Sequence, residues 1–377
     1  MNYFHAFWTR PQFRSTEEQE TKEIALWDFE ALTWLCSALE IGRHSPIRLI
    51  TDSRGLKFVQ RTGLDWIYNG GISTVLDSVP DQINRTIFWA AGKIYACQAV
   101  DSPCVGLDPD AILWQPLAPA APVMALHQED KTWSVYAVQR EKYGWCGFDS
   151  DAWDWELEPF NLGVVYFESD ALARSYAQTA IRFMTEFSAE AQREKFWGRS
   201  EADDFCDAML FAEQRLLPMC MKRLGVKVEP IGRLQPNAPH LEHNPICCHL
   251  WTSKGSYRVC PEARLLYVNF LIDHLLGHYP EAQPTLAQWK LDGPRTFDSL
   301  NPRPDSDAPP ADESAQELCL LGEIEGVVWL QDANLAVWRR ASKGSLILPG
   351  ETLRVEPGTT YELIVPGQAP RKFRQPQ

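Results

Sequence analysis

The stretch VGLDPDAILW, residues 105–114, places two aspartates between two apolar runs. The first run predicts a buried strand. Pro109 cannot donate a ladder hydrogen bond, so Asp108 and Asp110 are expected at the exit of that strand. Two residues apart in an extended chain, the carboxylates lie on one side, about 7 Å apart. Such oxygens suit Mn²⁺ or Mg²⁺, the usual partners of a diphosphate. The alternative is a solvated turn, since the D-x-D motif is short and common.

The surrounding sequence, residues 1–290, alternates short apolar runs with helical patterns and predicts an α/β domain with a largely parallel sheet. Besides 104–107, strands are expected at 2–8, 47–52, 65–68, 122–127, 162–167 and 227–231, and helices at 16–41, 85–100, 171–187 and 201–224. Open α/β sheets bind ligands at the carboxyl ends of their strands. Thr51-Asp52, which ends the second strand, is therefore expected at the binding edge.

Composition excludes several classes of protein. The net charge of −14 disfavours binding to nucleic acid, which needs a basic surface. The sequence has neither a secretory leader pattern nor an apolar run of the roughly 18 residues that a membrane span requires. The ten cysteines form no CxxC pair or disulfide framework. We therefore expect a cytoplasmic protein with reduced thiols.

The last quarter of the chain differs in composition. Residues 291–317 are rich in Pro, Asp and Ser and predict a linker. Residues 318–377 contain short β-type runs separated by Gly and Pro turns and predict a small all-β accessory module. The expected organisation is thus a domain at 1–290, a linker, and the module.

Six motifs occur in a recognisable order along the first 257 residues. They are Thr51-Asp52, Lys93, Asp108-Pro109-Asp110, Asn161-Leu162-Gly163-Val164, Glu213-Gln214, and His249 followed by Lys254 and Gly255. This ordered set resembles the GT-A-fold glycosyltransferases, in particular a divergent, bacterial-type member of the retaining glycogenin-like family. The chain departs from that family in having Glu213 in place of an aspartate and Thr252 in place of a glycine.

The resemblance implies a GT-A-like (Rossmann-like) mixed sheet and a metal site. Asp108, Asp110 and His249 are implied as ligands of Mn²⁺ or Mg²⁺. The metal and Lys254 would neutralise charge on the departing nucleoside diphosphate. His249 could equally be a buried core histidine beside its neighbouring cysteines.

The resemblance also implies residues that bind the donor, a nucleotide-diphosphate sugar. They are Thr51, Asp52, Lys93, Asp108, Asn161, Gly163 and Lys254. Glu213 and Gln214 are implied to face the reacting anomeric carbon. The alternatives are that Lys93 only snorkels beside Trp89, that Glu213 is a solvated helix residue, and that Asn161 ends a turn.

The tryptophan-rich stretch at 145–160 suits a loop that stacks on a sugar, or alternatively packing over the core. The leading hypothesis is a metal-dependent glycosyltransferase acting on an unidentified glycan, protein or small-molecule acceptor, with retention implied by the resemblance. The competing hypothesis is a noncatalytic GT-A-like scaffold that presents the C-terminal module to a partner. A metal-dependent phosphohydrolase, which would require a denser cluster of ligands, is a third.

Overall fold

The computed structural model describes residues 1–13, 22–143, 147–148, 152–194, 206–232, 246–250, 253–295, 319–326, 328–331, 338–341, 343–347, 351–365 and 368–376. Within these residues it is an α/β structure with a small all-β region at the C-terminal end, as the sequence predicts. No helix in the described ranges has the length and apolar character needed to cross a membrane.

The main sheet has seven strands in the order β3-β2-β1-β4-β7-β6-β8. Their bounds are β1 Asn2–Phe7, β2 Ile47–Thr51, β3 Ile72–Ser73, β4 Cys104–Leu107, β6 Val123–Gln128, β7 Phe160–Phe167 and β8 Val228–Pro230. All pairings are parallel except those of β7, which runs antiparallel to both β4 and β6. The reversal places the start of β7 beside the end of β4.

Helices cover both faces of this sheet. They are α1 Asp28–Gly42, α2 Ser53–Thr62, α3 Ala91–Ala99, α4 Ser134–Ala137, α5 Gln139–Tyr143, α6 Asp170–Glu194, α7 Cys206–Leu210, α8 Leu216–Arg223, α9 Ser253–Val259, α10 Pro261–His278 and α11 Gln283–Gln288. Alternate strand residues enter two separate apolar cores: Tyr3 and Val105 lie in one, Phe4 and Cys104 in the other. Burial on both faces explains why the strands are near-continuous apolar runs.

Some predicted elements differ in the structure. The helix expected at 85–100 is shorter, Ala91–Ala99. The helix expected at 16–41 begins only at Asp28, and residues 22–27 have no regular structure. The Asp28 carboxylate accepts two hydrogen bonds from Arg264, at 2.6 and 2.7 Å, so a distant partner fixes the start of the helix. The strand expected at 65–68 is a 3₁₀ turn, Asp65–Ile67, whose following residue Tyr68 is buried against α1.

A two-stranded antiparallel ribbon extends from the end of β4. It consists of β5, Ala111–Leu113, and β9, Cys247–His249, with Ala111 opposite His249 and Ile112 opposite Cys248. Side chains alternate along a strand, so His249 and Cys248 point to opposite faces of the ribbon. The ribbon thereby brings a residue from position 249 to the edge where β4 ends.

The C-terminal region confirms the expected all-β character. Its strands are β10 Cys319–Glu325, β11 Val328–Gln331, β12 Trp338–Ala341, β13 Leu346–Ile347, β14 Thr352–Val355, β15 Thr360–Ile364 and β16 Arg371–Arg374. Leu320 is fully buried and joins one core of the main domain, so the module packs directly on that domain. Of the predicted linker, residues 296–317 lie outside the described residues, and 291–295 form no helix or strand.

Candidate active site at the exit of strand β4

The two aspartates lie where the sequence places them, between β4 and β5. The Asp108 backbone N–H donates to the Gly163 carbonyl of β7 (2.9 Å), and the Ala111 N–H closes the turn onto the Asp108 carbonyl (2.9 Å). Pro109 occupies a turn position that needs no ladder hydrogen bond. The Asp108 side chain is 29% exposed and that of Asp110 is 14% exposed. One carboxylate is thus accessible and the other nearly enclosed.

His249 joins the two aspartates through the ribbon. Ligand atoms of Asp108, Asp110 and His249 all lie within 4.8 Å of one another. The His249 Nε2 atom is 3.6 Å from Asp110 Oδ2 and 3.8 Å from Asp108 Oδ2. These separations exceed hydrogen-bond length but match donor atoms arranged around one cation.

The environment of His249 fits a metal ligand. The residue is only 5% exposed, and the ring nitrogen that faces the two carboxylates is Nε2, whereas Nδ1 has no hydrogen-bond partner among the described residues. Burial lowers the pKa of His249, while the nearby carboxylate of Asp110 opposes that shift. The imidazole is therefore neutral, the form that binds metals. Two carboxylates and one imidazole are a suitable donor set for Mn²⁺.

Gly163 makes room for this imidazole. A Cβ atom at position 163 would lie 2.5 Å from His249 Cε1 and 2.6 Å from Nδ1. Real Cβ atoms do not approach so closely, so a larger residue would displace the ring. The resemblance assigns Gly163 to a sugar pocket, whereas its contact in the structure is with the candidate metal ligand.

Lys93 lies behind Asp108. Its ammonium contacts Asp108 Oδ1 (2.8 Å), Glu213 Oε1 (2.5 Å) and the Leu162 carbonyl (2.9 Å). Burial lowers its pKa, but the two carboxylates outweigh burial and raise the pKa overall, so the ammonium stays charged. An ammonium has three protons, and all three are engaged. Lys93 therefore has no hydrogen bond left to give a donor sugar, and its snorkelling alternative is excluded by these contacts.

Lys254 pairs with the other aspartate. Its ammonium is 2.7 Å from Asp110 Oδ2, and its side chain is 35% exposed. Although burial opposes ionisation of Asp110, Lys254 holds the pKa of that carboxyl well below its usual range. Two ammonium groups thus lie against the carboxyl groups of Asp108, Asp110 and Glu213. A divalent cation would add positive charge to this cluster and favour an anionic ligand.

Glu213 and Gln214 lie in a π-helical turn, Phe211–Arg215, between α7 and α8. Both are buried, so the solvated-residue alternative for Glu213 is wrong. Burial raises the pKa of Glu213, although Lys93 acts in the opposite direction. Tyr176 OH donates to the Glu213 carbonyl at 2.8 Å. Such turns are rare and often occur at functional sites.

Sequence reasoning missed Glu129 and Tyr136. Asn161 accepts a hydrogen bond from the Gly163 N–H (2.9 Å) and donates one to Glu129 Oε1 (3.1 Å). The Tyr136 hydroxyl contacts both Glu129 Oε2 and Gln214 Oε1. Glu129 directly follows β6, the same pattern of a strand followed by an acid that singled out Asp108. Asn161 is thus a structural link and does more than end a turn.

The protons in this network indicate the charge of Glu129. A tyrosine hydroxyl has one proton and cannot donate to two acceptor oxygens at once. With the amide oriented as assigned, a protonated Glu129 donates to Tyr136, which then donates to Gln214. Burial raises the pKa of Glu129 to about 7, and the contacts with Tyr136 and Asn161 act in the opposite direction. The site therefore holds a carboxyl group that titrates near neutrality.

Thr51 and Asp52 are engaged elsewhere. Thr51 Oγ1 donates to the Phe7 carbonyl (2.5 Å). The Asp52 carboxylate caps α2 by accepting from the Gly55 N–H (2.7 Å), and it also accepts from the Thr9 N–H (2.9 Å) and hydroxyl. These hydrogen bonds join the pair to Phe7, Thr9 and Gly55 and not to the β4 carboxylates. Asp52 therefore has a structural role as a helix cap.

The tryptophan-rich stretch packs on the core within its described part. Trp153 and Trp155 are each 6% exposed; Trp153 contacts Phe148, and Trp155 stacks on Phe211. Trp145 lies outside the described residues. The packing alternative is therefore the correct one for these two rings.

Comparison with curated proteins finds no match. The profile of DUF6734, described as a family of unknown function, matches residues 1–190. That range contains Lys93, Asp108, Asp110, Glu129 and Asn161 and ends before Glu213 and His249. Since it spans half of the 377 residues, the chain belongs to the DUF6734 family.

Proposed function

We propose that this protein is a metal-dependent glycosyltransferase of the GT-A type that takes a sugar from a nucleotide-diphosphate donor. One observation carries the proposal: the Nε2 atom of a buried, neutral His249 lies 3.6 Å from Asp110 Oδ2 and 3.8 Å from Asp108 Oδ2 where a sheet strand ends. At these distances the imidazole makes no hydrogen bond to either carboxylate. A cation between the three side chains would bind all three.

Asp108, Asp110 and His249 would hold the cation. When bound, Mn²⁺ or Mg²⁺ supplies positive charge that offsets the negative charge developing on a departing diphosphate. Lys254, on the rim of the cluster, adds an ammonium group beside Asp110. Its 35% exposure leaves it accessible to a phosphate.

The remaining residues prepare this centre for binding. Lys93 fixes Asp108 and Glu213 relative to one another. Tyr136 contacts both Glu129 and Gln214, so a carboxyl group that titrates near pH 7 and an amide lie side by side. Polar groups fixed in advance need little reorganisation when charge develops. We assign no nucleophile or base, and retention of configuration follows only from the resemblance.

The test is donor binding and hydrolysis with a panel of nucleotide sugars, with and without Mn²⁺. The proposal predicts metal-dependent binding of at least one donor by the wild type and its loss in Asp110→Ala. Asp52→Ala, which removes a carboxylate after a different strand, is the matched control and should keep donor binding. A wild type that shows no metal-dependent change with any donor would refute the proposal.

A second candidate is a noncatalytic binding protein with the same fold. The engagement of all three Lys93 protons within the protein favours it, because this removes one expected donor contact. Such a protein has no requirement for Mn²⁺ or for turnover. Donor binding without hydrolysis or transfer to any acceptor would favour this candidate.

A further inference from the structure

The C-terminal module touches the face of the β5–β9 ribbon opposite to His249. We propose that its turn Lys343-Gly344 positions the candidate metal site, so that the module is part of the site's support and Lys343 is a positioning residue. This inference rests on the proposed function, since it concerns the affinity of the Asp108–Asp110–His249 cluster for a metal.

Lys343 connects the module to the main domain through several contacts. Its ammonium donates to Glu323 Oε1 within the module (2.7 Å) and to His274 Nδ1 on α10 (3.2 Å). It also lies over the Trp114 ring, 4.6 Å from the centroid. The Lys343 side chain is only 14% exposed. Trp114 directly follows β5, so this ammonium packs on the end of one ribbon strand.

A buried pair lies beneath this contact. His274 Nε2 is 2.6 Å from Glu40 Oε1 on α1, and both side chains are about 5% exposed. Because Lys343 donates to Nδ1, Nε2 must carry the proton that Glu40 accepts. Burial lowers the pKa of His274, which agrees with this neutral tautomer. Cys36, Glu40 and His274 also lie close enough together to hold a metal ion. The hydrogen bonds of His274 to Glu40 and Lys343, however, already occupy both of its ring nitrogens.

Gly344 reaches the second ribbon strand. It has φ +84°, a conformation that favours glycine, and its N–H donates to the Leu321 carbonyl (2.7 Å). A Cβ built on Gly344 would lie 3.6 Å from Cys248 Sγ, which places the turn against that residue. Cys248 is adjacent to His249 and points to the opposite face. The turn therefore supports the strand that carries the imidazole.

β9 depends on such support because it has three residues and pairs only with β5 among the described strands. The ribbon also carries Asp110 at its start, and the Leu250 N–H donates to the Asp110 carbonyl (3.1 Å). A shift of the ribbon would change the spacing of two ligands relative to Asp108. Groups that hydrogen-bond directly to metal ligands commonly affect affinity by about 10–100-fold, so a residue that acts through the ribbon should have an effect no larger than the lower end of this range.

The experiment measures Mn²⁺ affinity of the full chain by electron paramagnetic resonance, together with thermal unfolding. Lys343→Met should raise the Kd for Mn²⁺ roughly tenfold, at the lower end of the range for supporting groups. Glu323→Gln removes the exposed partner of Lys343 and should give a smaller rise. Lys372→Met removes an exposed lysine of the same module and should leave the Kd unchanged.

If Lys343→Met does not fold, Glu323→Gln decides the question, because its side chain is 58% exposed. Folded variants that retain the wild-type Kd for Mn²⁺, even with lower thermal stability, would overturn the inference while leaving the metal proposal intact. Absence of Mn²⁺ binding by the wild type would instead overturn the metal proposal and this inference together.

Discussion

The ends of β2 and β4 contain the same sequence pattern, an apolar strand followed by aspartate, but different chemistry. At β2, Asp52 is 3% exposed and accepts hydrogen bonds from Thr9 and the Gly55 N–H. At β4, Asp108 and Asp110 pair with ammonium groups and face an imidazole that they do not hydrogen-bond. One carboxylate has its hydrogen bonds supplied by the fold, and two belong to a charged cluster with a neutral imidazole beside it.

The difference teaches that the partners of a carboxylate, and not its place after a strand, indicate whether it can bind a ligand. Backbone N–H groups at a helix start give Asp52 a fixed structural task. Lys93 and Lys254 each place an ammonium group beside one of the two β4 aspartates. His249 is neutral, so it would not repel a further cation. Removing groups at each strand end should therefore have different consequences.

The largest effect on stability is expected for Lys93→Met. The substitution leaves Asp108 and Glu213 as neighbouring carboxylates without their shared cation, and breaking a buried pair costs about 3–5 kcal/mol. Urea unfolding measures the change. The control is Lys131→Met, whose partner Glu156 is 78% exposed and whose loss should matter little. An equal loss of unfolding free energy in both variants would show that the buried ion pairs of Lys93 stabilise the fold no more than an exposed pair does.

Glu129→Gln should make stability less dependent on pH. Below pH 4.5 the Glu129 carboxyl is protonated in both the folded and the unfolded chain. As the pH rises to about 7, the unfolded chain releases its proton first, so the wild type loses stability relative to the variant. The difference should grow up to about 3 kcal/mol and then level off. Urea unfolding from pH 4.5 to 8.5 tests this, and a constant difference would contradict it.

Gly163→Ala should disturb the β4 site through His249. The added Cβ must displace the imidazole or the strand, at a cost of about 1–3 kcal/mol, and should weaken Mn²⁺ binding. Gly277→Ala is the matched control, because a Cβ there meets no atom within 4 Å. Calorimetric Mn²⁺ titration measures the effect. An unchanged affinity for Mn²⁺ in Gly163→Ala would show that His249 is not a metal ligand.

Asp52→Ala should give the smallest loss of stability, about 1–2 kcal/mol, because it removes a helix cap. Its thermal unfolding should shift while any Mn²⁺ affinity stays at the wild-type value. A loss of Mn²⁺ binding in this variant would show that the carboxylate after β2 also contributes to the metal site.

The sequence predicts the strands that are buried on both faces, because these appear as continuous apolar runs, as at β4 and β7. It also predicts that Asp108, Asp110 and His249 lie together, since the ordered motifs resemble a known arrangement. It could not show that β7 is antiparallel, which brings Asn161 and Gly163 beside Asp108. Nor could it show the start of α1, which depends on Arg264, 236 positions away along the chain.

Glu129 shows a different limit of sequence reasoning. It follows a strand as Asp108 does, but no local pattern distinguishes it from Asp52, which also follows a strand. Only the contacts with Tyr136 and Asn161, which come from other parts of the chain, reveal its role. Tertiary partners therefore separate the candidate site from the structural carboxylates.

The most direct test of the account is Mn²⁺ titration of the wild type, Asp110→Asn and Asp52→Ala under identical conditions. We predict one Mn²⁺ per wild-type chain and an unchanged affinity in Asp52→Ala. In Asp110→Asn we predict a loss of more than about 100-fold, beyond the cost of losing a supporting residue. A wild type that binds no Mn²⁺, or an Asp110→Asn variant that binds it as tightly as the wild type, would contradict the account.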